Sequence, residues 1–468
     1  MTAEAAEPST TDPNPRTWPT DVPLADLDFW SGPLAAREQG FSRLRATWPM
    51  PYYPEPESPL EPGPGFWALT RHADVAEATR RPEDFCSGQG STHIPDFPPG
   101  FGEFFGSMIE MDDPRHQRLR RIVARAFTPR MIKQFSDDVD RTARTIVDDV
   151  AERGSCDFVT DVAARLPLDV ICDMMGVPSA DRRFVFERSN VILGVADPEY
   201  VPQEGGGHIE ALLTAGAELA ELMRNLAEFR RGTPTDDVTS ALVNAEIDGE
   251  SLSADELASF FILLLAAGNE TTRNAISHGL WLLTQNPDQH RLWRSDFERY
   301  APTAVEEIIR LASPVVWMRR TAVRDTELNG KQVRDGDKLL LFYWSANRDE
   351  TVFTDPARFD LTRDPNPHLG FGARGPHFCL GAHLARREIT LLFRELLHRL
   401  PDIQVVGEPQ RLRSMFINGI KHMTCEYTPT RKPDPAITPS TTTRAQRNRN
   451  PIPRSGNAGG PHLSTPSQ

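Results

Sequence analysis

One cysteine near the end of the chain stands in the setting that a thiolate ligand needs. Cys379 follows a glycine-rich approach, GFGARGPHFC over 370–379, and precedes LGAHLARREI, which has the periodicity of an amphipathic helix. Glycines let the backbone approach a bound group, and the N–H groups and positive dipole end of a helix favour a thiolate. The pattern therefore indicates that Cys379 is a ligand.

A polar cluster interrupts an apolar helix elsewhere in the chain. The segment FFILLLAA over 260–267 is apolar on every face and must be buried, yet the sequence GNETT follows it at once. A buried carboxyl beside two hydroxyls needs hydrogen-bond partners. One interpretation is a kink in the helix or a polar patch whose groups bond to water. The other is that Ala267 and Gly268 leave space for a flat group, to which Glu270 and Thr271 relay protons.

Three interpretations of the cysteine follow. Zinc could bind His377, Cys379 and His383, but structural zinc sites usually use paired cysteines at short spacing, and the five cysteines include no such pair. A buried structural cysteine is the second interpretation. A haem explains both stretches together, with the thiolate on one face and Glu270 and Thr271 on the other. A thiolate axial ligand favours O–O cleavage, so the predicted chemistry is oxygen activation.

Helical periodicity dominates the elements that must position these residues. Helices are predicted over 130–154, 208–232 and 384–401, and a long central helix over 253–286 begins with a capping box of Ser253 and Glu256. Strand patterns are few and short, at 65–70, 326–347 and 417–428. The predicted fold is mainly α with a minor β region, in one large domain with the haem buried against the long central helix.

Composition limits the possible functions. The 468 residues carry a net charge of −14, which disfavours binding to nucleic acid. The N-terminus lacks the pattern of a secretory signal, and the apolar run over 260–267 is shorter than the roughly 18 residues that read as a membrane span. We therefore expect a soluble, cytoplasmic protein. Residues 1–21 are predicted to be a disordered leader, 22–428 the folded domain and 429–468 a disordered, basic tail rich in Pro, Ser and Thr.

These motifs together resemble the cytochrome P450 family, over residues 22–428. Besides AAGNETT and GPHFCLG, the chain has the family's Glu-x-x-Arg as Glu307 and Arg310, and a later DPARFD whose Arg358 is expected to complete a Glu-Arg-Arg network. The family's usual loop has Phe seven residues before the cysteine, whereas here Gly372 stands there and Phe371 precedes it. Actinobacterial members that oxidise methyl-branched lipids and sterol side chains share this departure, and the chain is most similar to them.

The resemblance implies a role for each matching position. The cofactor would be haem b, with Cys379 as the iron ligand and Glu270 and Thr271 as the catalytic pair. The residues expected to contact the haem, including partners of its propionates, are His116, Arg120, Ala267, Gly268, Arg320, Phe371, Gly372, His377 and Gly381.

The implied reaction is that of a monooxygenase which uses O₂ and electrons from a ferredoxin and its reductase to hydroxylate the terminal (omega) carbon of a methyl-branched fatty acid or isoprenoid. A steroid side-chain 26/27-monooxygenase and a haem-binding sensor without turnover are the alternatives. Candidate substrate contacts are Ile94, Phe97, Phe101, Phe105, Phe261, Leu264, Val315, Val316, Trp317 and Phe416. A basic surface for the ferredoxin could be formed by Arg118, Arg121, Arg125, Arg130, Lys133 and Arg374.

Overall fold

Helices build most of the molecule. The computed structural model describes residues 16–56, 63–98, 100–126, 129–201, 207–244 and 251–431. The helices in this part of the chain are α1 (Leu27–Ser31), α2 (Leu34–Thr47), α3 (His72–Thr79), α4 (Phe101–Gly106), α5 (Arg115–Ala126), α6 (Pro129–Val150), α7 (Arg165–Met175), α8 (Arg182–Leu193), α9 (His208–Gly232), α10 (Val238–Asn244), α11 (Ala254–Leu264), α12 (Thr271–Gln285), α13 (Pro287–Ser295), α14 (Phe297–Ala312), α15 (Tyr343–Ala346) and α16 (Ala382–Arg399). The predicted helices correspond to α6, α9 and α16, within a few residues at each end.

The strands are short and form small sheets. They are β1 (Tyr52–Tyr53), β2 (Phe66–Leu69), β3 (Phe85–Cys86), β4 (Ser155–Asp157), β5 (Met318–Ala322), β6 (Thr326–Leu328), β7 (Lys331–Val333), β8 (Lys338–Leu341), β9 (Gln404–Val405), β10 (Gln410–Arg411), β11 (Ile420–His422) and β12 (Thr424–Glu426). The largest sheet has the order β1-β2-β8-β5-β3, in which β2 and β8 are parallel and the other pairs antiparallel. The predicted fold class, mainly α with a minor β part, is confirmed.

The long central helix has an internal irregularity at the polar cluster, where the sequence left a kink open as one interpretation. It begins at the expected capping box, in which Ser253 accepts from the Glu256 N–H and the Glu256 carboxylate accepts from the Ser253 N–H. Between α11 and α12, however, Leu265–Glu270 form a wider, π-helical turn. Such turns are frequently found at functional sites, and this one contains the Ala-Gly-Asn-Glu sequence.

Two hydrophobic clusters enclose the region around this turn. One joins buried residues of α6, α7, α12, α14 and α16, and the other joins α5, α7, α9, α10 and α11. The central helix contributes to both, because α12 packs in the first cluster and α11 in the second. None of the described helices is long and apolar enough to cross a membrane.

Both ends of the described chain pack on the folded core. The first 15 residues of the predicted leader lie outside the described residues, but Arg16 bonds to Tyr52 Oη and Asp337, and the ring of Trp18 lies 6.3 Å from that of Tyr53. The Thr430 N–H likewise donates to the Ala151 carbonyl at 2.8 Å. Arg16, Trp18 and Thr430, which the sequence assigned to the leader and the tail, thus contact the folded core. The tail beyond 431 lies outside the described part.

Candidate active site

The Cys379 loop is a compact turn directly before α16. The Cys379 N–H donates to the Phe371 carbonyl at 3.0 Å, and Gly372 has a φ of +80°, which a residue with a side chain rarely adopts. Arg386, on the first turns of α16, lies 4.4 Å above the Phe371 ring. Burial raises the pKa of the Cys379 thiol, while the Gly381 N–H and nearby arginines act in the opposite direction. A bound metal ion would supply the charge that keeps this thiol ionised.

A large apolar cavity lies between this loop and the central helix. It contains about 1510 Å³ of empty space, a figure that includes its opening to solvent. The loop contributes Phe371, Gly372, Cys379 and Gly381 to its lining. The central helix contributes one face, formed by Phe260, Leu263, Leu264, Ala267, Gly268, Thr271, Thr272 and Ala275. The structure thus brings the two stretches singled out in the sequence to one space.

The predicted catalytic pair is divided between two environments. Thr271 lines the cavity, and its hydroxyl donates to the Ala267 carbonyl at 2.5 Å across the π-helical turn. Glu270 is fully buried and does not line the cavity; its Oε1 accepts from Arg273 and from Asn274. Its Oε2 is buried without a hydrogen-bond partner among the described residues. Arg273 and Asn274 therefore hold one carboxylate oxygen of Glu270 in place, whereas the other oxygen has no hydrogen bond within the described residues.

Two arginines and two histidines converge on the cavity. His116, Arg120, Arg320 and His377 all line it, and the rings of the two histidines are 4.2 Å apart. Arg120 donates to the Phe378 carbonyl at 2.6 Å, and Arg320 donates to the Arg319 carbonyl at 2.7 Å.

This cluster contains very little negative charge. Within the described residues, no carboxylate contacts Arg120, Arg320 or His377; His116 contacts only the exposed Asp113, and its Nε2 is buried without a partner. Burial and the neighbouring positive groups lower the pKa of His377 to about 2. A group with two carboxylates, such as haem b with its propionates, satisfies these donors and this charge. The residues present therefore fit the cofactor.

The Glu-Arg pair is fully buried, but its third member differs from the prediction. Glu307 and Arg310 form a two-pronged ion pair with both distances at 2.8 Å. Arg363 Nε lies 3.2 Å from each Glu307 oxygen. The predicted Arg358 is wrong as a side-chain member, because its guanidinium is 62% exposed beside Asp360; only its backbone carbonyl accepts from Arg310 and Arg363.

The structure divides the substrate contacts predicted from the sequence into two groups. Of the ten candidates, Leu264 and Val315 line the cavity and the other eight do not. Phe261 lies one helical step, about 100°, from Phe260, and it is buried in the core without lining the cavity. Ile94, Val316 and Trp317 are buried in another cluster, against which Phe416 also packs. Phe97, Phe101 and Phe105 form a ladder of ring contacts with centroids 4.2 and 4.9 Å apart.

Several lining residues were missed by the sequence reasoning. Met108, Ile109, Ile171, Met174 and Met318 add apolar surface to the cavity, and Glu388 adds a carboxyl. Glu388 is 2% exposed, and burial raises its pKa to about 8 despite a hydrogen bond with Thr272. The sequence contained a signal for Glu388, because a glutamate within the apolar stripe of α16 breaks the pattern of an amphipathic helix.

Comparisons with known proteins agree with this geometry. The family described as Cytochrome P450 matches residues 199–415. The chain is 50% identical over 414 residues to the methyl-branched lipid omega-hydroxylase of Mycobacterium tuberculosis, covering 86% of this chain and 95% of that protein. It is 41% identical over 369 residues to the steroid C26-monooxygenase of Mycolicibacterium smegmatis, covering 78% of this chain and 84% of that one.

Comparison with a solved structure shows that the fold is similar as well. A cytochrome P450 from Mycobacterium marinum in complex with pseudoionone superposes with a TM-score of 0.83 and 43% identity, covering 88% of this chain and 99% of that one. The cysteine loop, the cation cluster and the wide helical turn thus occur in a chain that matches these proteins along most of its length. The chain belongs to the cytochrome P450 family and is a monooxygenase that binds haem b.

Proposed function

We propose that the protein hydroxylates the terminal carbon of methyl-branched lipids, such as branched fatty acids or isoprenoids. The observation that carries the proposal is the 50% identity to a methyl-branched lipid omega-hydroxylase over 95% of that protein's length. The cavity supports it, because apolar residues, among them Met108, Met174 and Met318, form most of its lining outside the arginine and histidine cluster. Methionine side chains adapt to irregular apolar ligands, which suits a chain with methyl branches.

Selectivity for the end of the substrate chain depends on how the substrate is positioned relative to the cofactor. A primary C–H bond is stronger than the secondary and tertiary bonds beside it, so the enzyme must present only the end of the chain to the cofactor. Leu264, Ala267 and Thr271 lie on one face of the central helix, and Val315 faces the same cavity. We propose that these side chains fix the substrate end-on and exclude the neighbouring carbons.

The residues of this chain hold the cofactor from two sides. Haem b supplies the oxygen-activating iron, and a thiolate ligand increases the electron density on that iron. Cys379 is the proposed ligand, fixed by its N–H bond to Phe371. His116, Arg120, Arg320 and His377 are the proposed partners of the propionates, while Ala267, Gly268, Phe371, Gly372 and Gly381 are proposed to contact the ring.

Glu270 and Thr271 are proposed to move protons on the distal side. Arg273 and Asn274 hold Glu270 Oε1, which leaves the unpartnered Oε2 free to exchange protons as the side chain turns. The Thr271 hydroxyl lies at the cavity wall and can both donate and accept. Glu388, protonated below a pH of about 8, is a second source of protons at the same wall.

A ferredoxin with its reductase is the proposed electron source. Arg121 and Arg374 are exposed and could contact an acidic partner. Arg118, another predicted contact, pairs instead with Glu256 at 2.8 Å. The side chains of Arg125, Arg130 and Lys133 lie outside the described residues. The proposed surface therefore depends on the exposed arginines near the cysteine loop.

Steroid side-chain oxidation is the second candidate, favoured by the 41% identity to a steroid C26-monooxygenase. Optical titration of the purified protein separates the two, because a substrate that enters the cavity perturbs the haem Soret band. We expect a methyl-branched fatty acid to produce the change at lower concentration than the straight-chain acid of equal length and a 3-oxo sterol. A response to the sterol alone would contradict the proposal and favour the steroid reaction.

A further inference from the structure

Two cysteines far apart in sequence face each other in a small sheet. Cys156 lies on β4 and Cys425 on β12, and the antiparallel register places them directly opposite. Their sulfur atoms are 3.4 Å apart although 269 positions separate them in the chain. Both side chains are buried, at 9% and 0% exposure. Neither lines the haem cavity, so this thiol pair is a separate site.

We propose that Cys156 and Cys425 are a site of reversible oxidation, at which a hydroperoxide converts the two thiols into a disulfide. The Cys156 thiolate attacks one peroxide oxygen, the O–O bond breaks and hydroxide or alkoxide leaves, giving a sulfenic acid. The Cys425 thiol then attacks that sulfur, and water leaves as the S–S bond forms. The two sulfurs lose two electrons in total, the peroxide gains them, and both thiol protons end in water or alcohol.

The backbone already has the spacing that a disulfide requires. Residues directly opposite in an antiparallel pair have Cα atoms about 4.5 or 5.5 Å apart, and disulfides span about 4.4–6.8 Å between Cα atoms. The sulfurs must approach from 3.4 Å to about 2.05 Å. Rotation of the two side chains with a small shift of the outer strand supplies this movement.

The two cysteines are not equivalent. β4 is the edge strand of the sheet β4-β12-β9, whereas β12 is central, so Cys156 is the more accessible sulfur. The hydrogen bond from Cys425 lowers the pKa of the Cys156 thiol, which increases its thiolate fraction. By contrast, burial raises the pKa of Cys86 and of Cys172. Cys156 is therefore the nucleophile and Cys425 the thiol that resolves the sulfenic acid.

The bond would fix a segment that reaches the active site. β11 precedes β12, and the Ile420 N–H at its start donates to Asn274 Oδ1 at 3.0 Å. Asn274 in turn donates to Glu270 Oε1 at 2.8 Å. A disulfide that ties β12 to β4 therefore restrains the segment that positions the proposed proton donor, and it closes a very long loop of the unfolded chain.

Mass spectrometry tests the proposal on the haem-loaded wild-type protein. The protein is treated with hydrogen peroxide or, in parallel, with the thiol oxidant diamide, alkylated with N-ethylmaleimide and digested with trypsin without reductant. We expect the peptides 154–165 and 422–431 to be joined, and dithiothreitol to separate them. Alkylation of both cysteines after treatment, or sulfinic acid at Cys156 without the joined peptides, would overturn the proposal.

Matched variants test the consequence. Cys86→Ser removes a different buried thiol and should leave the joined peptides intact, whereas Cys156→Ser should abolish them. Oxidation should raise the midpoint of thermal unfolding by several degrees in the wild type and in Cys86→Ser, but not in Cys156→Ser. An equal rise in Cys156→Ser would contradict the assignment. The mass measurement on the wild type remains decisive if a variant does not fold.

Discussion

Two charged clusters near the cysteine loop differ in what completes them. Around Glu307, each basic side chain has a carboxylate partner: Arg310 and Arg363 share Glu307, and Arg386 and His368 share Glu306. Around His116, Arg120, Arg320 and His377, the charge is almost entirely positive and the donors face a cavity.

The difference separates a structural role from a binding role. Although burial acts to raise the pKa of Glu306, the hydrogen bonds from Arg386 and His368 lower it to about 2, as expected for a complete ion pair. In the other cluster, burial and mutual repulsion lower the pKa of His377. We infer that the first cluster is structural and propose that the second binds the haem propionates, whose negative charge would relieve the repulsion.

Removing the shared carboxylate should produce the largest effect. Glu307→Gln leaves Arg310 buried without its counter-charge, and loss of one partner from a buried pair costs about 3–5 kcal/mol. We expect a corresponding loss in the free energy of unfolding, measured by urea denaturation. The control is Arg358→Gln, which should change the stability by less than about 0.5 kcal/mol because that side chain is exposed. Equal losses of stability in the two variants would contradict the conclusion that Arg363, and not Arg358, is the third member of the network.

Glu270 is intermediate between the two clusters, because it has a cationic partner yet keeps one oxygen unpartnered. Glu270→Gln should retain haem and fold but reduce the rate of product formation about 100-fold, the lower range for loss of a proton-transfer group. The measurement is turnover with saturating redox partner, with haem content as the control. An unchanged rate would show that Glu270 is structural and that protons reach the site by another route, such as Glu388.

Two adjacent arginines allow the cation cluster to be tested against a matched neighbour. Arg320 lines the cavity, whereas Arg319 does not and pairs with Asp96 at 2.6 Å. Arg320→Gln should accelerate transfer of haem to an acceptor protein about 10-fold, consistent with loss of a charged hydrogen bond of roughly 1.5–3 kcal/mol. It should not lower the stability of the apoprotein. Arg319→Gln should lower the stability of the apoprotein without accelerating haem transfer. The same effects in both variants would contradict the distinction between the two arginines.

Glu388 gives the most specific effect, because it is visible only in the dependence of stability on pH. Its folded pKa of about 8 lies above the ordinary value of 4.5, so the folded protein holds a proton that the unfolded chain has lost. The stability from this group is therefore complete below pH 4.5 and is lost as pH rises to about 8, at up to about 1.4 kcal/mol per pH unit. Glu388→Gln should flatten this part of the curve of unfolding free energy against pH. An unchanged slope would contradict the protonated state.

Features that depend on neighbouring residues were predicted from the sequence more reliably than features that depend on long-range contacts. The boundaries of α9 and the capping box at Ser253 depend on neighbouring residues, and both were predicted correctly. The loop around Cys379 was recognisable because its glycines and cysteine are close together. The resemblance then gave the fold.

The errors concern which side chain reaches a distant partner. Arg358 and Arg363 lie close together in sequence but far from Glu307, and only the path of their loop decides which guanidinium is buried. Phe260 and Phe261 are equally apolar, but one helical step turns the second away from the cavity. The approach of Cys156 to Cys425 depends on strand register across most of the chain, which no local pattern contains.

Product analysis tests the central claim most directly. The purified protein, supplied with a ferredoxin, its reductase and O₂, is given a methyl-branched fatty acid, and the hydroxyl position is assigned by mass spectrometry. The account predicts that the terminal carbon carries the hydroxyl group, because the apolar face of the central helix and Val315 present only the chain end. Hydroxylation mainly at internal carbons, or turnover of a 3-oxo sterol with none of the branched acid, would contradict it.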